Sequence, residues 1–93
     1  MHFVIHCLDT ADPSIRQTHY PAHRAYLAAA PLKILIAGPL LDEAGEAPIG
    51  SLLVIEAETM EAARAFASGD PFAVNGAWDS IRIYPFTKSV ENR

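Results

Sequence analysis

Residues 32–41 read Leu32-Lys33-Ile34-Leu35-Ile36-Ala37-Gly38-Pro39-Leu40-Leu41, and residues 50–56 read Gly50-Ser51-Leu52-Leu53-Val54-Ile55-Glu56. Between them lies the polar segment Asp42-Glu43-Ala44-Gly45-Glu46-Ala47-Pro48. Two apolar, β-branched runs around such a segment predict an antiparallel hairpin with strands at 32–41 and 50–56. Alternation sets Ile34 and Ile36 on one face of the first strand and Leu35 and Ala37 on the other. Gly38-Pro39 predicts a bulge, or a place where a ligand or another backbone comes close. The loop is longer than the commonest hairpin connections, which leaves room for a role of its own.

Helix signals flank this hairpin on both sides. Asp12-Pro13 reads as an N-cap followed by the first helical residue. Proline disfavours helical geometry in the residue before it, so Pro21 is expected to break the helix. One piece should run from Pro13 to His19 and the next from Pro21 to Ala30. Beyond the hairpin, Thr59 caps a second helix whose buried stripe is Met60, Ala63, Phe66 and Ala67. Gly69 ends that helix. Asp70-Pro71 repeats the capping signature and predicts one more short turn, out to Asn75-Gly76. The outermost elements are strands, at Phe3–Leu8 and Trp78–Phe86. In the last, Ile81 and Ile83 share a face opposite Ser80, Arg82 and Tyr84.

The order is β-α-β-β-α-β, which predicts an α+β, ferredoxin-like fold: four antiparallel strands with the helices on one face. A single domain over 1–93 follows from the length, with a polar tail at 87–93. The open face of the sheet should display His6, Leu35 or Ala37, Leu52 or Val54, Trp78 and Tyr84. That surface is too apolar to leave wet, and a second copy stacked sheet to sheet would cover it as a homodimer.

Composition narrows the function. The chain is 51% hydrophobic, carries a formal charge of -4 and scatters its seven Lys and Arg residues. That argues against nucleic-acid binding through phosphate contacts. No apolar segment reaches the roughly 20 residues of a membrane helix, and no polybasic run suggests a membrane surface. Cys7 is the one cysteine, so no internal disulfide is possible, and its apolar setting reads as a small buried side chain. The N-terminus lacks the features of a signal peptide. A soluble, cytoplasmic protein is the expectation.

Chemistry concentrates in His19-Tyr20-Pro21-Ala22-His23-Arg24-Ala25-Tyr26-Leu27. An imidazole can give or take a proton near neutral pH, and a carboxylate can hold it in one tautomer. Asp70 is the complementary acid, and the two are expected to meet across a cleft. Each has a plainer reading. His23 can be a satisfied histidine on a helix, and Asp before Pro is an ordinary cap. His19 and His23 are four apart, a spacing that binds metals on a continuous helix, but Pro21 between them is expected to spoil it. No metal and no cofactor is expected.

Five segments, in this order, resemble the YciI-like (YCII-related) family of small dimeric proteins. They are Pro21-Ala22-His23 with Tyr26-Leu27, Ala37-Gly38-Pro39-Leu40, the helix Glu61 to Phe66, Asp70-Pro71-Phe72, and the strand ending Tyr84-Pro85-Phe86. The resemblance spans nearly the whole chain. It implies a ferredoxin-like dimer and an active-site pair that falls here on His23 and Asp70. A related dehydrochlorinase implies proton abstraction with loss of chloride from a hydroxylated ring. One departure stands out. Family members often carry a basic residue three places before the histidine, where this chain has Tyr20. If that residue grips an anionic substrate, Arg24 or Arg16 would have to replace it.

Two functions follow. In the first, His23 shuttles a proton and Asp70 orients it, for an elimination, isomerisation or dehydrohalogenation of a small organic molecule. Arg24, Tyr26, Gly38, Pro39 and Phe72 would then bind the substrate. In the second, the chain is a non-catalytic dimeric module for a ligand or a protein partner, and His23 and Asp70 are structural.

Overall fold

A computed structural model describes residues 1–92. Its elements are β1 (His2–Asp9), α1 (Pro13–Ala28), β2 (Lys33–Leu41), β3 (Pro48–Glu56), α2 (Met60–Gly69), α3 (Pro71–Val74) and β4 (Trp78–Phe86). The four strands form one antiparallel sheet in the order β2-β3-β1-β4, the ferredoxin-like arrangement expected from the sequence. Residues 87–92 of the expected polar tail form no helix or strand, and Arg93 lies outside the described residues.

Three side chains cap helices as their residue types predict. Asp12 accepts from Ser14 N, Thr59 from Ala62 N and Asp70 from Phe72 N. α2 lays Ala63, Phe66 and Ala67 on the sheet. Phe3, Ile5 and Cys7 of β1 pair with Ile55, Leu53 and Ser51 of β3, so one alternating set from each strand enters the core. Each fully buried Phe, Ile or Leu there contributes about 1.5–3 kcal/mol of hydrophobic stabilisation.

Three local expectations are corrected. First, α1 runs unbroken through Pro21. Proline removes one N–H and crowds the carbonyl four residues back, that of Gln17. Both residues are exposed, so water can take that carbonyl, while the buried Arg16 and His23 hold the two halves of the helix in place. Second, Trp78 is buried beneath the helices rather than shown on the open face. The pairing steps from Leu8↔Ser80 to Asp9↔Trp78, and this bulge at Asp79 reverses the facing of Trp78. Third, Ile34 and Ile36 do not share a face. A bulge at Leu35 sends Ile34 toward the core and leaves Ile36 exposed beside Val54. The same step puts Ala37 opposite Leu53, on the helix side. Irregularities therefore flank Gly38-Pro39 at Ile34/Ile36 and Leu40/Leu41 instead of falling on it. Pro39 sits on the edge strand, where its missing N–H is tolerated.

The open face carries Val4, His6, Leu52, Val54, Ile36 and Tyr84. Ile36 and Tyr84 are 62% and 53% exposed there, and Arg82 and Ser80 share the same face.

Candidate active site

Arg16 and His23 are seven positions apart, so both project from one face of α1, two turns apart. They are the only buried residues of that helix. Across from them stands the junction of α2 and α3, where Asp70 ends one helix and caps the next. His23 Nδ1 lies 2.9 and 2.8 Å from the two carboxylate oxygens of Asp70. Oδ1 also accepts from Phe72 N at 2.9 Å. Capping and holding the imidazole are thus carried by the same carboxylate, which is 1% exposed.

An aromatic plate lies beneath the histidine. The Phe72 ring stacks on the imidazole at 4.1 Å between centroids and 12° between planes. The Arg16 guanidinium lies 4.7 Å from the centroid of the same Phe72 ring. Trp78 meets His23 edge-on at 6.1 Å.

Arg16 is clamped. Its Nε donates to Asp9 Oδ2 at 2.6 Å, and Nη2 donates to Asp9 Oδ1 at 3.0 Å. Nη2 also lies 2.7 Å from both Gly50 O and Ser51 Oγ. Trp78 Nε1 donates to the same Ser51 hydroxyl at 3.1 Å. The strand bulge that turns Trp78 inward therefore completes this cluster.

A cleft of about 250 Å³ opens above these groups, lined by Arg16, Tyr20, His23, Arg24, Leu27, Ala37, Gly38, Pro39 and Ser51. Every buried side-chain nitrogen and oxygen among the described residues has a hydrogen-bond partner. His23 Nε2 and Arg16 Nη1 make no hydrogen bond within the chain, so neither is sealed, and both side chains line the cleft. With Nδ1 directed at a carboxylate, the favoured tautomer leaves the Nε2 lone pair free. Among the described residues no three His, Cys, Asp or Glu side chains converge as a metal site. His19 and His23 do share a helix face, contrary to the expectation from Pro21.

Of the residues singled out from sequence, the cleft gathers His23, Arg24, Gly38 and Pro39. Arg24 Nη1 donates to Tyr20 OH at 3.2 Å, so the departure at Tyr20 forms part of the rim. Phe72 is fully buried under His23 and supports the imidazole instead of lining the cleft. Tyr26 is not brought to the cleft at all. Its hydroxyl donates to Phe66 O at 2.9 Å, its ring stacks on Phe66, and it lines a separate cavity of about 710 Å³. Burial, and then the charge of Asp70, raise the Tyr26 hydroxyl above its ordinary value.

Asp9, Ser51 and Trp78 were not anticipated as site residues. Ser51 left a usable sign: it is the one polar residue in the inward-facing set Ser51, Leu53, Ile55. Cys7, directly opposite it, takes no part. Burial first, then the charges of Asp70 and Asp9, push its thiol up to about 12, and a thiol held neutral is a poor nucleophile.

No helix among the described residues is long and apolar enough to cross a membrane. The YCII-related domain matches residues 1–87. Protein YciI of Escherichia coli O6:H1 is 34% identical, over 95% of this chain and 98% of its own. Protein YciI of Shigella flexneri gives the same figures. Among solved structures, the 5-chloro-2-hydroxyhydroquinone dehydrochlorinase of Burkholderia phenoliruptrix, in complex with 2,5-dihydroxybenzoquinone, superposes with a TM-score of 0.85. The two are 31% identical, over 94% of each chain. Extent, identity and fold agree: the chain belongs to the YCII-related family.

Proposed function

We propose that this chain is a small-molecule enzyme in which His23 moves a proton at Nε2 while Asp70 holds the imidazole through Nδ1. One observation carries the reading: Nδ1 is tied to a buried carboxylate, and the opposite nitrogen is unpartnered at a cleft. That is the arrangement of an oriented general base. Cys7 is buried and its thiol is held neutral, so it offers no thiolate nucleophile there. Elimination, isomerisation or dehydrohalogenation fits best. In a dehydrohalogenation Nε2 takes a proton from the substrate, the freed electron pair forms the new π bond, and chloride leaves with the electrons of the broken C–Cl bond. The similar dehydrochlorinase acts on such a ring and supports this class.

Chloride release from 5-chloro-2-hydroxyhydroquinone is the direct test, run beside a thermal-shift screen of small phenolic, lactone and keto-acid compounds. Turnover that falls by about 10²–10⁴ in a folded His23→Ala variant supports the proposal. If nothing binds or reacts and His23→Ala only lowers the melting temperature, the pair is structural. The burial of Asp70 and its cap to Phe72 favour that second reading, a non-catalytic binding module.

Assembly belongs to the same proposal. A second copy, stacked through Ile36, Val54, Leu52 and Tyr84, would cover the open sheet face as a homodimer. Light scattering on the wild type and on Ile36→Asp tests it: a monomeric wild type removes the dimer. A cytoplasmic location follows from the same reading of a soluble enzyme.

A further inference from the structure

The lining of the cleft carries charge of one sign. Arg16 and Arg24 face it, His23 can join them when protonated, and no acidic side chain reaches its surface. Both acids of the cluster lie behind the basic groups, Asp9 against Arg16 and Asp70 against His23. Leu27, Ala37 and Pro39 supply apolar walls.

The two arginines are held differently. Arg24 is exposed, with its one hydrogen bond to a rim tyrosine. Arg16 is 8% exposed, and its Nε and Nη2 are fixed by Asp9, Gly50 and Ser51. Its remaining edge, the two N–H groups of Nη1, has no partner in the chain and is not buried. A guanidinium immobilised through two of its three nitrogens loses little entropy when a ligand binds the third. In a mostly desolvated setting its hydrogen bond to an anion is strengthened.

We propose that the cleft selects a small organic anion, and that Arg16 Nη1 is its anchor, holding the charged oxygen while the rest of the ligand lies toward His23 Nε2. This names the substrate class for the proposed function and rests on that reading. Phe72 touches both the guanidinium and the imidazole, so it sets the spacing between anchor and base. A substrate of this class is a phenolate, an enolate or an aryl carboxylate that also carries the proton to be moved.

The test uses 4-hydroxybenzoate and 4-hydroxybenzamide, which share a shape and differ in charge. Calorimetric titration of the wild type is expected to show the carboxylate bound about tenfold tighter or more. The side-chain ¹⁵N–¹H signals of Arg16 should move with the carboxylate and stay in place with the amide. In Arg16→Lys the preference should vanish, because an ammonium cannot offer the same edge while pairing with Asp9. Equal binding of the two probes, binding of neither, or a preference that survives Arg16→Lys and disappears in Arg24→Ala would each overturn the proposal. If Arg16→Lys does not fold, the wild-type titrations and the Arg16 signals decide alone. Chloride release decides the catalytic reading separately. Anion preference without turnover leaves the anchor and removes the enzyme, whereas turnover without anion preference does the reverse.

Discussion

Asp70 invites a perturbation that separates its two jobs. Asp70→Asn keeps an oxygen able to cap Phe72 N but removes the carboxylate from His23 Nδ1. Hydrogen bonds to charged groups contribute about 1.5–3 kcal/mol when their partner is removed. The substitution should therefore lower the melting temperature by on the order of 10 °C, at about 4–8 °C per kcal/mol for a domain of this size. Asp70→Ala loses the cap as well, worth about 1 kcal/mol more, or roughly another 5 °C. Denaturant melts of both variants, alone and combined with His23→Leu, complete a double-mutant cycle. A real pair gives a coupling of about 1 kcal/mol or more between Asp70→Asn and His23→Leu. Fully additive effects would refute the claim that the two side chains stabilise one another. Equal melting of the Asn and Ala variants would refute the cap.

The other predictions concern the scaffold. Burial raises both the Cys7 thiol, to about 12 from 9.0, and the Tyr26 hydroxyl, so the folded chain holds these protons more tightly than the unfolded chain. Their contribution to stability is complete below about pH 9 and is lost as the pH climbs toward their folded values. Urea midpoints should fall across that range, and Cys7→Ala should flatten the fall; an unchanged profile would dismiss the buried thiol as its source. A Cβ added at Gly50 would collide with the Cys7 carbonyl oxygen, so Gly50→Ala should lose about 3 kcal/mol or more, and a near-normal melt would contradict this packing. Pro21→Ala restores a helical N–H at an exposed position and should stabilise the chain by about 1–2 kcal/mol, visible as a higher urea midpoint.

Most of the fold could be read from side chains that act locally. Asp12-Pro13, Thr59 and Asp70-Pro71 mark helix starts because a cap needs only its own neighbours. The hairpin is similarly local. What escaped reading was settled by distant contacts. Nothing near Asp79 announces a bulge, since the irregularity is a relation between two strands far apart in sequence. Missing it placed Trp78 on the wrong face of the sheet. Pro21 misled in the opposite direction, because its local rule was overridden by what Arg16 and His23 bury on either side of it. The meeting of His23 with Asp70 could be expected from residue types together with the family resemblance. Arg16 could have been placed with them by its spacing of seven from His23, but its clamp of Asp9, Gly50 and Ser51 draws on β1 and β3, and no helical pattern predicts that.

The single ring of Phe72 beneath both basic groups bears on how such a site can change over time. A substitution in the floor disturbs imidazole and guanidinium together, so neither half can be adjusted without the other. The rim is built otherwise: Tyr20, Arg24 and Gly38 touch the cleft from exposed positions, and only the Tyr20 ring meets the floor, tilted against His23 at 6.5 Å. New specificities should arise by exchange at that rim over an unaltered floor, one piece of chemistry passed among substrates by replacing a few surface side chains.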